Sequence, residues 1–297
     1  MVIYQFEKMN TMKKIKINIP AFLAILAFGL VAIGCQKMDR PALGDYPKDT
    51  NPPGGPLSFY VAFDGTTDNP SMNAVDSIRA NFPASNNMAS IDGISGKGVQ
   101  GGPAKFVSYA KPNNWAAVSQ SFTISLWFKK DGQTKNNAGG NGPEYLFSMK
   151  AINDYHWSNA TFFLFLEGSP DATMVKMMTV DKNKNDNWFE WVGDKSLKGV
   201  LNNQWHHLAM VYDASTSTAS LYIDGVKNPE TKTWGTHGNI NFDNAAIAQI
   251  RIGAGPSDNF DSDDWLAASF KGQLDQFRLY STALTAAEIQ ELFAGKK

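Results

Sequence analysis

The chain has 297 residues and a formal net charge of −1. That balance excludes a nucleic-acid partner, because a phosphate-binding surface concentrates Lys and Arg. Charged residues make 19% of the chain and aromatics 12%, with 25 glycines, a composition that points to an all-β globular protein with long turns.

In chain order, the first segment reads as an address rather than as structure. Lys13, Lys14 and Lys16 form a basic flank, Ile19 to Ile33 is almost wholly apolar, and the run closes on Ala32-Ile33-Gly34-Cys35. The run is shorter than the ~20 residues a helix needs to span a bilayer. It resembles the lipobox of bacterial lipoproteins, in which a small residue precedes the cysteine that is lipidated. Ala32 stands where that family more often has Leu. The resemblance implies a signal peptide over 1–34 and a lipid on Cys35, and Met12 fits the start of such a signal better than Met1. Cys35 is the only cysteine, so the chain can make no internal disulfide. Residues 36–56 include Pro41, Pro47, Pro52, Pro53 and Pro56. Proline fixes φ and favours an extended, partly stiff chain, as a tether over 35–56 requires, leaving 57–297 for one folded domain.

Leu57 to Phe63 is the first expected strand. After a polar stretch and the glycine-punctuated run Ile91 to Val99 come strands at Phe106 to Tyr109 and Phe122 to Phe128. In the second of these, Phe122, Ile124, Leu126 and Phe128 share one face, and Thr123, Ser125 and Trp127 the other. Tyr145 to Met149, Thr161 to Glu167, Met174 to Val180 and Trp188 to Val192 read as further strands. Gln204 to Gly225 is a hairpin. His206, Leu208, Met210 and Tyr212 alternate with Trp205, His207, Ala209 and Val211, so both faces carry apolar groups, as in a strand buried between two layers. Asp224-Gly225 is a tight-turn dipeptide.

With "WHHLAMVYD…ASLYIDG", the chain resembles laminin G-like, concanavalin A-like domains. "FTISLWFK" from Phe122, "DG-x-SGKG" from Asp92, and the closing strand and helix of Phe270 to Phe293 extend the resemblance from Leu57 to Phe293. It implies an antiparallel two-sheet β-sandwich of jelly-roll topology with a short C-terminal helix. Thr285 and Glu288 fit a capping box for that helix.

This fold hosts lectins, adhesion modules and enzymes, so chemistry has to be sought in residues. Glycoside hydrolysis needs paired carboxylates. Before the terminal helix the domain has only Glu144, Glu167, Glu190 and Glu230, none in the Glu-x-Asp-x-x-Glu pattern of hydrolases with this fold. His206 and His207 sit on a core strand without a nucleophile elbow and read as structural. No enzyme is expected. Calcium is the expected ion. First and last strands of a jelly roll are often neighbours, so Asp64 and Asp275, with Asp68 nearby, approach the place where related domains hold structural Ca²⁺. The run Asp258, Asn259, Asp261, Asp263 and Asp264 reads as a solvated loop.

The ligand signal is aromatic. Tyr155, Trp157, Trp188, Trp191, Trp234 and Trp265 lie outside the core strands of the resemblance, and exposed rings stack on the C–H faces of sugars. The competing reading is that they plug the ends of the sandwich or meet another subunit. Strand alternation places Trp188 and Glu190 on one face, and Phe189 and Trp191 on the other. The resemblance to lipoproteins of Bacteroidetes type implies a non-catalytic outer-membrane module on the cell surface. Its expected partner is a glycan, the alternative being the subunits of an outer-membrane transporter. Asp76-Ser77-Ile78 also resembles a Bacteroidetes O-glycosylation motif, with an ordinary turn as the competing reading.

In a lipoprotein-processing bacterium, the wild-type chain is expected to take up labelled fatty acid and Cys35→Ser to take up none. Equal labelling of the two would remove the anchor.

Overall fold

The computed structural model describes residues 55–64, 71, 73–75, 88–112, 114–260 and 263–296. Cys35, Asp68 and Asp76-Ser77-Ile78 lie outside them. Among the described residues the strands form two antiparallel sheets, one of eight strands and one of six. The larger has the order β12 (Val226–Thr233), β11 (Thr218–Ile223), β10 (Asn202–Asp213), β5 (Phe122–Asp131), β14 (Gln273–Tyr280), β3 (Lys97–Gln100), β2 (Ala89–Asp92), and β1 (Leu57–Val61) also pairs with β14. The smaller runs β4 (Val107–Tyr109), β13 (Ile247–Ile252), β6 (Glu144–Ala151), β7 (Ala160–Ser169), β8 (Ala172–Val180), β9 (Asp186–Trp191).

Alternation decides what each strand buries. Between the sheets, Ile124, Leu126 and Phe128 of β5 and Leu208, Met210 and Tyr212 of β10 meet Phe162, Leu164 and Leu166 of β7 and Phe189 and Trp191 of β9. The opposite face of β10 is covered as well. Ala209 and Val211 share a second cluster with Ile289 of the C-terminal helix (Ala286–Gly295). Phe293 of that helix stacks on Trp127 at 5.6 Å between ring centroids. The helix opens with the expected capping box, in which Thr285 and Glu288 satisfy each other's backbone N–H.

Asp224 and Gly225 both have positive φ, 51° and 77°, the backbone of a two-residue hairpin turn. At Gly225 an added Cβ would lie 2.4 Å from the Gln290 side chain, so glycine also lets the helix approach. The turn leads into β12, which the sequence reading did not identify. That strand is a solvent-facing edge holding Pro229, Lys227 and Lys232, and its residues alternate between exposed and half-buried, so it carries little apolar signal.

The histidines serve the hairpin. Asp224 accepts from the His207 N–H at 2.8 Å and lies 2.7 Å from His206 Nδ1. The His207 ring is fully buried, 2.7 Å from Ser125 Oγ. Glu144 is also fully buried, and it accepts from the backbone N–H groups of Lys135 and Lys271 at 2.9 and 2.8 Å. It thereby ties the 132–143 loop to the approach of β14.

Burial, helped by the nearby Arg278 charge, holds His207 down to about 3. A folded value below the unfolded one, about 6.5, means that the neutral ring contributes stability fully present above that pH. The contribution is lost as pH falls toward 3. Thermal melts should lose about 1.4 kcal/mol per pH unit across that window, and His207→Gln should flatten the dependence. Parallel curves for variant and wild type would assign the acid sensitivity elsewhere.

Candidate functional site

The face of the six-stranded sheet that points away from the main core carries a second aromatic layer. In β7 the residues between the core positions are Phe163, Phe165 and Glu167; in β8 they are Lys176 and Met178; in β9, Trp188 and Glu190. Pairing register aligns them across the sheet. Phe163, Met178 and Trp188 form one row, and Phe165, Lys176 and Glu190 the next.

Two connections bring further rings. Trp265 comes from a short 3-10 turn, Trp265–Ala267, where Asp264 accepts from the Leu266 N–H at 3.0 Å. Trp157 comes from the loop between β6 and β7. The three indoles meet pairwise, with ring centroids 6.5 Å apart for Trp157–Trp188, 6.3 Å for Trp157–Trp265 and 6.3 Å for Trp188–Trp265. Beside them opens a cleft of about 430 Å³ lined by Pro143, Phe165, Glu167, Lys176, Trp188, Glu190 and Trp265.

Its polar groups form a comb. Lys176 Nζ lies 3.0 Å from Glu167 Oε2, 3.7 Å from Glu190 Oε1 and 5.8 Å from the centroid of the Phe165 ring. Among the described residues, the Glu190 carboxylate accepts no hydrogen bond and that of Glu167 only the one from Lys176. The cleft therefore offers flat apolar faces beside carboxylate oxygens that accept no hydrogen bond, with the ammonium held between the two carboxylates.

Of the six aromatic residues expected to bind ligand, Trp157, Trp188 and Trp265 come together here. Trp157 is 56% exposed. Trp191 is corrected. It is fully buried in the main core, and its Nε1 donates to the Glu230 carbonyl at 3.0 Å. The alternation of β9 that turns Trp188 outward turns Trp191 inward. Tyr155 is also corrected, since it packs beneath the aromatic layer with its hydroxyl donating to the Asp181 carbonyl at 3.0 Å. Trp234 is no part of the cleft. Its ring stacks on His237 at 3.7 Å and packs against the main core. Glu167, Lys176 and Phe165 were missed as site residues. They sit inside strands, and alternation assigns each a face without saying which neighbours the register supplies.

The acidic loop after β13 is explained locally. Asp258 pairs with both Arg251 and Lys150, and Asp264 caps the Trp265 turn.

Asp64 and Asp275 converge on the turn that joins β2 to β3. A bulge at Gln276, φ 47°, shifts the register of β14 against β5 between Asp275 and Arg278. Asp275 is fully buried; its Oδ2 accepts from the Ile94 N–H at 2.8 Å, and its Oδ1 has no hydrogen-bond partner among the described residues. Burial pushes its carboxyl up to about 8 against the pull of the Ile94 hydrogen bond, and the Asp64 charge adds to the rise. Asp64 accepts from the Lys97 N–H, and burial raises its carboxyl too. A Cβ added at Gly93 would fall 2.2 Å from Asp275 Oδ2, and one at Gly96 would fall 2.0 Å from Asp64 Oδ1. Glycine is thus required where backbone and carboxylates meet. Among the described residues no three His, Cys, Asp or Glu side chains form a metal-binding group.

The family Laminin_G_3, described as the concanavalin A-like lectin/glucanases superfamily, matches residues 104–290. No curated protein matches the chain in sequence. Among solved structures, the chain is similar to domain 4 of AbnA, a GH43 extracellular arabinanase from Geobacillus stearothermophilus, in complex with arabinotriose. Identity there is 20%, the TM-score 0.52, and the match covers 80% of this chain and 97% of that one. It is also similar to the binding domain of botulinum neurotoxin DC in complex with rat synaptotagmin II, at 13% identity and a TM-score of 0.56, over 82% of this chain and 52% of that one. The binding domain of Paraclostridial Mosquitocidal Protein 1 is similar at 16% identity and a TM-score of 0.54, over 80% of this chain and 52% of that one. The match thus spans about half the length of these toxin binding domains. At such identities the likeness is one of fold.

Proposed function

The chain belongs to the concanavalin A-like lectin/glucanases superfamily, and from that premise we propose that it binds carbohydrate in the cleft lined by Trp188 and Trp265, with Trp157 beside them. The observation that carries this reading is the meeting of three indoles, each about 6.3–6.5 Å from the others, beside unused carboxylate acceptors. Indole faces stack on sugar C–H groups, and the carboxylates of Glu167 and Glu190 would accept from the hydroxyls. The arabinotriose bound to the arabinanase domain supports a sugar on this fold.

In this reading the domain hangs from the outer membrane by a lipid on Cys35, at the cell surface. A protein partner is the second reading, with the chain an accessory subunit of an outer-membrane transporter. The exposure of Trp157 and the synaptotagmin complex of the neurotoxin domain support it. Hydrolysis fits less well. Glu167 and Glu190 share a cleft, but the Lys176 ammonium stands between them, where a hydrolase needs its glycosidic bond.

The Asp64–Asp275 pair is proposed to hold a structural Ca²⁺. The unpartnered, buried Asp275 Oδ1 and the convergence of two carboxylates on the turn between β2 and β3 fit a hard cation. Asp68 would be a further ligand.

Two measurements check these readings. On arrays of arabinan, xylan, mannan and β-glucan, followed by calorimetry, Trp188→Ala and Trp265→Ala should each weaken binding roughly 5- to 10-fold, from a stacking contribution of ~1 kcal/mol. If no glycan binds and the chain co-purifies with a transporter, the accessory reading wins; release of reducing ends would restore hydrolysis. In the second measurement, calcium at 100 times its Kd should stabilise by ~2.7 kcal/mol, raising Tm by roughly 5–10 °C, and Asp275→Asn should abolish the shift. An unchanged Tm, with no metal found by elemental analysis, would reject the ion.

A further inference from the structure

We infer that the tryptophan cleft selects sugars without acidic groups, admitting neutral or amine-bearing glycans and rejecting uronates, sulfates and sialates. The inference rests on the carbohydrate reading above and deepens it by naming the ligand class and the residues that set it, Glu167, Lys176 and Glu190.

The argument is one of charge placed beside an apolar platform. The titratable side chains lining the cleft are two carboxylates and one ammonium, a formal balance of −1. The ammonium is already engaged, shared between Glu167 and Glu190 at 3.0 and 3.7 Å and lying over the Phe165 ring. No second Lys, Arg or His lines the cleft. An acidic sugar stacked on Trp188 or Trp265 would therefore set its anion against two carboxylates with no free cation to meet it. Trp188, Trp265, Phe165 and Pro143 form the apolar walls, which lower the local dielectric and strengthen that repulsion.

A neutral sugar meets the opposite situation. The Glu190 carboxylate accepts no hydrogen bond among the described residues, and that of Glu167 has one oxygen unused. Both side chains are partly open, 43% and 30% exposed. A carboxylate can accept from two adjacent hydroxyls, and such charge-assisted bonds are roughly twice as strong as neutral ones. A ligand ammonium would find the same acceptors and, in addition, the indole faces. Rejection of acids is electrostatic and so should relax as salt shortens the Debye length.

The test compares neutral arabinan, xylan, mannan and β-glucan with polygalacturonate, heparin and sialyllactose at low salt, using the purified full chain. Wild type should bind only among the neutral set, at least tenfold more tightly than any acidic probe. Glu190→Gln and the Glu167→Gln/Glu190→Gln pair should weaken neutral binding several-fold and lower the neutral-to-acidic ratio at least tenfold. Because the Glu190 side chain is 43% exposed and accepts no hydrogen bond among the described residues, its single variant keeps the test alive if the double variant does not fold. If an acidic probe binds wild type as well as the neutral set and Trp188→Ala abolishes it, the cleft binds sugar but the inferred class is wrong. An unchanged ratio in Glu190→Gln overturns the inference in the same way. If no probe of either kind binds, the carbohydrate reading falls and takes this inference with it.

Discussion

A strand with apolar side chains on both faces has to be covered twice, and most of this structure follows from that requirement. β5, β7 and β10 all have this character. One face of each contributes to the space between the sheets, where Phe128, Leu164 and Met210 lie. The other face needs a separate cover. On the larger sheet the C-terminal helix supplies it, with Ile289 against Ala209 and Phe293 over Trp127. On the smaller sheet Trp188 and Trp265 lie over Phe163 and Phe165. That second cover is incomplete, because the neighbouring row carries Lys176 and Glu190 in place of apolar groups. A cleft opens where the apolar layer gives way to charge. The candidate binding site is thus a consequence of how the outer face of the sheet is finished.

The same requirement explains how much could be read from the chain. Period-two alternation is a local property, so the strands, their buried faces and the capping box at Thr285 were legible. So was the division within Trp188 to Trp191, where parity alone sends one indole out and the other in. Register is not local. Nothing within β7 says that Phe165 will face Lys176, or that Lys176 will face Glu190, because strand pairing is settled by the whole sheet. The Glu–Lys–Glu comb was therefore invisible, although each strand that carries it was recognised. Edge strands leave a similar gap. β12 needs no apolar face and carries Pro229 and two lysines, so its sequence resembles a loop.

Aromatic residues in irregular segments were the least legible class. Trp157, Trp234 and Tyr155 have similar contexts in the chain, yet Trp157 is open, Trp234 is taken up by His237 and Tyr155 is held down by Asp181. What separates them is whether a neighbour covers the ring or binds its polar end, as His237 does for Trp234 and the Asp181 carbonyl for Tyr155. Such partners come from loops whose conformation depends on turn residues and on contacts distant in sequence.

Buried charge follows the opposite rule, because there the partner is a necessity. A buried carboxylate without compensation is costly, so each one marks a point where the chain is pinned. Glu144 is compensated by two backbone N–H groups and by the Lys130 ammonium at 3.6 Å, and holds a long loop to the approach of β14. Asp224, only half-buried, is compensated by His206 and the His207 N–H, and holds the turn of the hairpin. Asp275 accepts from the Ile94 N–H, and the backbone N–H groups of Gln276 and Ser95 also favour its charged form, yet its Oδ1 is unpartnered among the described residues and Asp64 adds like charge. That imbalance is what the raised Asp275 carboxyl records: burial and the Asp64 charge favour its protonated form, and a proton or a bound cation would each relieve it. The glycines facing them, Gly93 and Gly96, let the turn approach the two carboxylates closely. One ion would then do on the rim of the larger sheet what Glu144 and Asp224 do with protein groups alone.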